Sequence, residues 1–171
     1  IYTNLHHVIA IVDEYIYIWC MSHTALTYHL IFGTHNRHRV IPQDHERELY
    51  KFMYDFANSR EVYIRRIGGM PDHVHILCDI PAKVAIADFV RLIKTESSKF
   101  MRTNPHFPDW WKWAEGYGAF TVDASSREAR RQYIIRQREH HQRINFRDEY
   151  RDFLREAGFP DDAFILGDED V

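Results

Sequence analysis

The chain is poor in cysteine. Only Cys20 and Cys78 occur among 171 residues, and two distant thiols make no disulfide framework. That excludes a small cross-linked secreted scaffold and fits a reduced, cytoplasmic setting. Long apolar runs are also missing. None approaches the roughly 18 residues needed to cross a bilayer, so a membrane partner is not expected. Internal repeats and low-complexity stretches are absent, which excludes a solenoid. The net charge of −3 shows none of the positive excess of an obvious nucleic-acid binder.

That average conceals a division. Residues 21–145 carry 19 Lys+Arg against 14 Asp+Glu, a balance of +5, whereas residues 146–171 carry 3 against 9, a balance of −6. The body is basic and the end acidic, so the charge argument against a polyanionic partner fails for most of the chain. A hydrophobic content of 45% with 15% aromatic residues supports a folded core, and the length suits one domain better than two. The expected organisation is an extension or artefact over residues 1–20, where Val8, Ile9 and Ile11 are followed by Asp13 and Glu14. One domain over 21–160 and an acidic tail over 161–171 complete it.

Periodicity orders the elements. Residues 25–32 are rich in β-formers and read as a first strand. Pro42 opens a helix with Leu49, Phe52, Met53 and Phe56 on one face. Residues 62–67 form a second strand, and Gly68-Gly69 with Pro71-Asp72 marks a turn into a third, which carries His73-Val74-His75. A second amphipathic helix spans about 84–102, with Arg91, Lys94, Lys99 and Arg102 opposite its apolar face. Residues 104–113 form a loop and 116–122 a fourth strand. Ser125 or Ser126 caps a third helix to about residue 144, and a shorter helix covers 147–157. The order β-α-β-β-α-β predicts an α+β, ferredoxin-like (RRM-like) antiparallel sheet with helices on one face, followed by C-terminal helices. The fold alone implies no activity.

Alternate side chains on a strand share a face, so His73 and His75 project together while Val74 turns inward. Two adjacent imidazoles form half of a divalent-metal site. Tyr133 and Gln137 lie one helical turn apart, among Arg130, Arg136 and Arg138, with His140 and His141 following. A tyrosine hydroxyl in a basic surround can attack a phosphodiester and retain the product covalently. With an ordinary pKa near 10 it needs an activated phosphate, which a metal on the histidines would supply. The Gln137 amide oxygen could complete the metal shell. Nitrogen and oxygen donors without thiolate favour Mg²⁺ or Mn²⁺ over a closed zinc site.

Each element has a bland alternative. Cations such as Arg91, Lys94, Lys99 and Arg102 suit phosphate contacts, yet equally suit a solvated helix face. Trp110, Trp111 and Trp113 could stack on bases, although core packing accounts for them more simply. Asp72 reads as a turn residue, and Ser97 and Ser98 read as helix packing.

Four blocks in order carry a resemblance: Gly69–His75, Ile93–Lys99, Gly116–Phe120 and Tyr133–His141. Over about residues 23–157 the chain resembles the single-tyrosine HUH transposases of small bacterial insertion sequences and their REP-associated relatives. The resemblance implies an enzyme that cuts and rejoins single-stranded DNA at hairpin-bearing element ends. Tyr133 would be the nucleophile, forming a 5′-phosphotyrosine and leaving a free 3′-hydroxyl. His73, His75 and Gln137 would hold the metal, and Arg91, Lys94, Lys99, Arg102, Arg130 and Arg136 are the candidate DNA contacts. It further implies a homodimer whose sites are completed in trans, although domesticated relatives can be monomeric. Two other readings stay open: a non-catalytic nucleic-acid-binding module, and a metal-dependent phosphodiesterase that uses water.

Overall fold

The computed structural model describes residues 23–160; the expected extension over 1–20 and the acidic tail over 161–171 lie outside them. Four strands, β1 (Thr27–Gly33), β2 (Tyr63–Met70), β3 (His73–Asp79) and β4 (Gly118–Thr121), form an antiparallel sheet in the order β2-β3-β1-β4. Helices α1 (Glu46–Asn58) and α2 (Ile86–Thr103) connect them, and α3 (Arg127–Ile135), α4 (Gln137–His140) and α5 (Phe146–Glu156) follow. This is the ferredoxin-like arrangement predicted from the order of elements.

Register decides which residues meet. Leu30 lies opposite Ile76, and Phe32 opposite Val74; with Cys78 they face α1 and α2. There Leu49, Met53 and Ala57 of α1 and Phe89, Val90, Ile93 and Met101 of α2 are buried. Burying each large apolar side chain contributes about 1.5–3 kcal/mol. On β2 the register shifts between Ile64 and Arg66. This bulge lets Ile64 and Ile67, three residues apart, both reach the core.

The other face of the sheet carries Thr27, His29, Ile31, His73, His75 and Leu77. The C-terminal helices α3–α5 cover it: Ile134 packs with Leu77 and Val122, and Phe153 is buried beside His29. Three expectations are corrected. Gly68-Gly69 belongs to β2, and Pro71-Asp72 alone makes the turn. Pro42 begins a turn, with α1 starting at Glu46. The third helix does not run on to residue 144; it breaks at Arg136.

The cations of α2 have local partners. Lys94 donates to the carbonyls of Ala114 and Gly116 at 2.8 Å each, and Arg102 donates to the Trp111 carbonyl. Arg91 pairs with Asp88 and Lys99 with Glu96. Trp113 and Trp110 are buried and donate to Ser97 and Ser98 at 3.0 and 3.1 Å. This face of α2 therefore pins the loop leading to β4.

Candidate active site

The site begins with a register coincidence. His75 lies opposite Ile31 on β1 and opposite Gly68 on β2, all on the covered face. A methyl group at Gly68 would stand 2.7 Å from the Ile134 carbonyl oxygen and 2.9 Å from Ile134 Cγ2. The missing side chain is what lets the end of α3 lie against the sheet, and it sets the height of Tyr133 one residue earlier. Gly68→Ala is therefore expected to stay folded at a cost of about 1–3 kcal/mol. It should lower any Tyr133-dependent reaction roughly 10- to 100-fold by displacing the hydroxyl. A thermal melt together with a single-turnover rate checks this, and a wild-type rate would remove Gly68 from the positioning argument.

His73 and His75 are 1% and 0% exposed, so every polar atom on them needs a partner. Asp72 Oδ1 accepts from His73 Nδ1 at 2.8 Å, and Arg37 holds the other carboxylate oxygen at 2.9 Å. Arg37 Nη2 also lies 3.0 Å from His73 Nδ1. The carboxylate is the stronger attractor for a proton on that nitrogen. His75 Nδ1 meets His29 Nε2 at 2.9 Å. His141, just beyond α4, directs Nδ1 at the Ile144 carbonyl, 3.0 Å away. In each ring the outer nitrogen is occupied. The Nε2 atoms of His73, His75 and His141 point inward, buried and without a hydrogen-bond partner.

A carboxylate meets them. Glu149 of α5 is 2% exposed, and its Oε2 lies 3.2 Å from His141 Nε2 and 3.8 Å from His73 Nε2. Its Oε1 lies 3.7 Å from His75 Nε2. That same Oε1 accepts hydrogen bonds from the Tyr133 hydroxyl and, at 3.0 Å, from Gln137 Nε2. Gln137 Oε1 is left buried and unpartnered.

Burial lowers the pKa of both His73 and His75, although Asp72 partly opposes the shift at His73. The imidazoles are therefore neutral, the form that binds metal. Burial alone would raise Glu149, but its contact with His141 and the hydrogen bond from the Tyr133 hydroxyl hold it well below the carboxylate range. Tyr133 moves the opposite way: burial first, and then the Glu149 charge, push its hydroxyl well above the usual phenol value.

The donor set suits a divalent ion. The ligand atoms of His73, His75, His141 and Glu149 all lie within 4.8 Å of one another. Donors about 2.1 Å from one ion stand roughly 3.0–3.4 Å apart, and the Glu149 oxygens stand 3.2–3.8 Å from the three imidazole nitrogens. Three orphaned imidazole nitrogens beside a buried carboxylate fit such an ion better than they fit one another.

The structure thus brings His73, His75, Gln137 and Tyr133 together, and Arg130 lies over the Tyr133 and Phe153 rings. Arg136 lines a cleft of about 530 Å³ beside Tyr133, with His140 and Arg143. Arg91, Lys94, Lys99 and Arg102 are not part of this group. Sequence reasoning missed Glu149, His29 and the place of His141. Glu149 did leave a signal, because it falls between Phe146 and Phe153 at i, i+3, i+7, an acid on an apolar stripe that cannot be buried unpartnered. Tyr133 and the histidines of a single chain share Glu149.

Comparison with known proteins gives a family. The sequence model of the IS200-like transposases matches residues 22–137. The chain is 31% identical over 114 residues to the ISDra2 transposase TnpA of Deinococcus radiodurans, covering 64% of this chain and 81% of that protein. It is 25% identical to the transposase for insertion sequence element IS200 of Salmonella typhimurium, covering 60% and 72%. A crystal structure of a Deinococcus radiodurans transposase aligns with a TM-score of 0.54 at 29% identity, over 68% of this chain and 95% of that one. The REP-associated tyrosine transposase bound to a REP hairpin aligns with a TM-score of 0.55, over 86% and 93%; at 15% identity it speaks for the fold alone. The family match ends at Gln137, so His141 and Glu149 lie beyond it. With more than half its length matched, the chain belongs to the IS200-like transposase family.

Proposed function

We propose that the protein cleaves and rejoins single-stranded DNA at hairpin-bearing element ends through a covalent 5′-phosphotyrosine on Tyr133, with Mg²⁺ or Mn²⁺ as cofactor. The observation that carries this reading is the Tyr133 hydroxyl bonded to Glu149, the carboxylate that also meets the three orphaned imidazoles.

The residues divide the work. Gln137 and Glu149 fix the Tyr133 oxygen. Arg136 and Arg143, which make no ion pair among the described residues, line the cleft where a phosphate would arrive. As the Tyr133 oxygen bonds to phosphorus, its proton passes to Glu149 Oε1. The bond from phosphorus to the 3′ oxygen breaks, and that oxygen takes up a proton from solvent water and leaves as a hydroxyl. The phosphotyrosine keeps the energy of the broken ester, so a 3′-hydroxyl can attack it later and joining needs no ATP. His73, His75, His141 and Glu149, with the Gln137 oxygen beside them, would hold the ion, which supplies Lewis-acid polarisation of a phosphate oxygen.

The test uses a fluorescent single-stranded hairpin. With Mg²⁺ or Mn²⁺, a protein–DNA adduct should survive a denaturing gel and should disappear with a chelator. Cleavage without an adduct would instead favour the water-using phosphodiesterase. Binding without cleavage under any ion would favour the non-catalytic module.

A further inference from the structure

The active-site cleft is not the only cationic hollow. Strand β2 is an edge of the sheet, and between that edge, α1 and the α3–α4 break runs a groove of about 500 Å³. Arg47, Lys51, Arg65, Arg66 and Arg138 line it against a single acid, Glu46. Lys51, Arg65 and Arg138 are paired, with Asp55, Asp79 and Glu46 respectively. Arg47 and Arg66 are exposed and make no ion pair among the described residues. Two tyrosines join them. Tyr54 is 41% exposed, and the Tyr50 hydroxyl is buried with no hydrogen-bond partner. Gln137, which bonds Glu149 in the active site, also lines the inner end of this groove.

The geometry points to this groove as the track for single-stranded DNA adjoining the scissile phosphate. This rests on the strand-transferase reading above. Unpaired guanidinium groups recruit phosphates without reading sequence, and exposed tyrosine faces stack on unpaired bases of any kind. A duplex already stacks its bases internally and gives Tyr54 nothing to grip. The alternating cation and aromatic lining therefore selects a single strand. On α2, Lys94 and Arg102 are spent on the loop before β4, and Arg91 and Lys99 pair with Asp88 and Glu96, so among the described residues this groove and the Arg136 cleft carry free positive charge near the site.

The experiment measures anisotropy of a fluorescent oligo-dT 12-mer, and of a 12-base-pair duplex, on the full chain in chelator. The wild type should bind the single strand more tightly. Arg47→Glu/Arg66→Glu should weaken that binding at least ten-fold at 100 mM salt. It should also reduce the slope of log K against log salt by about 1.4, from two lost phosphate contacts at roughly 0.7 each. Tyr54→Leu, which removes no charge, should weaken binding about five-fold with the slope unchanged, and so covers the case in which the double variant fails to fold. Arg91→Glu/Lys99→Glu on α2 should stay within two-fold of wild type. Wild-type affinity in both groove variants, or a preference for duplex, overturns the groove. A wild-type chain that binds no DNA at any salt overturns the functional reading itself.

Discussion

Tyr133→Phe is expected to abolish the covalent adduct and to lower strand cleavage by more than about 10³-fold, while metal affinity changes only a few-fold. The first effect follows because the phenolic oxygen is the atom that bonds to phosphorus, and it is the hydroxyl that donates to Glu149. The second follows because the phenyl ring keeps its edge contacts with His75, His140 and Phe153, so the ion's donors stay in place. Losing the hydroxyl removes one of the hydrogen bonds to Glu149 Oε1, at a stability cost of about 1–3 kcal/mol; Gln137 Nε2 remains. A denaturing gel and a metal titration on the same preparation separate the two. An adduct of wild-type yield in this variant would assign the nucleophile elsewhere.

Glu149→Gln is the second large effect. The amide keeps the shape and an oxygen for the Tyr133 hydroxyl but loses the negative charge that faces three imidazoles. Affinity for Mn²⁺ is expected to fall about 10- to 100-fold, the range seen when groups that support a metal site are removed. Cleavage at saturating Mn²⁺ should still fall roughly 10²-fold or more, because the group placed to take the Tyr133 proton is gone. Calorimetric metal titration reads the first, and single-turnover cleavage at high Mn²⁺ reads the second. The opposite outcome is equally informative. If Glu149 merely holds Tyr133 shut, the variant cleaves faster than wild type, and its role as proton acceptor fails.

Much of this was legible in the sequence, for physical reasons that also mark where it stopped. The strand period placed His73 and His75 on one face without any structure, and the turn residues ordered the β-α-β-β-α-β units. Periodicity could not reveal His29. It becomes the hydrogen-bond partner of His75 only through the register between β1 and β3, a long-range fact. Asp72 read as a turn residue and is one, yet it also holds the His73 ring. The break at Arg136 has neither proline nor glycine to announce it. It follows from tertiary anchors on both sides, Ile134 seated over Gly68 and Gln137 bonded to Glu149. The local partners of Lys94 and Arg102 on α2 were not legible, because the carbonyls they engage, those of Ala114, Gly116 and Trp111, belong to a loop whose course no local pattern encodes.

The most direct test of the central claim is to map the covalent bond. The protein is incubated with a single-stranded hairpin substrate and Mn²⁺, digested with nuclease and trypsin, and analysed by mass spectrometry. Cleavage after Arg131 and Arg136 releases residues 132–136, a peptide with one tyrosine. A nucleotide linked through its 5′-phosphate to Tyr133 in that peptide is the predicted result. Cut DNA with that peptide unmodified, or a nucleotide carried by any other residue, would contradict the account.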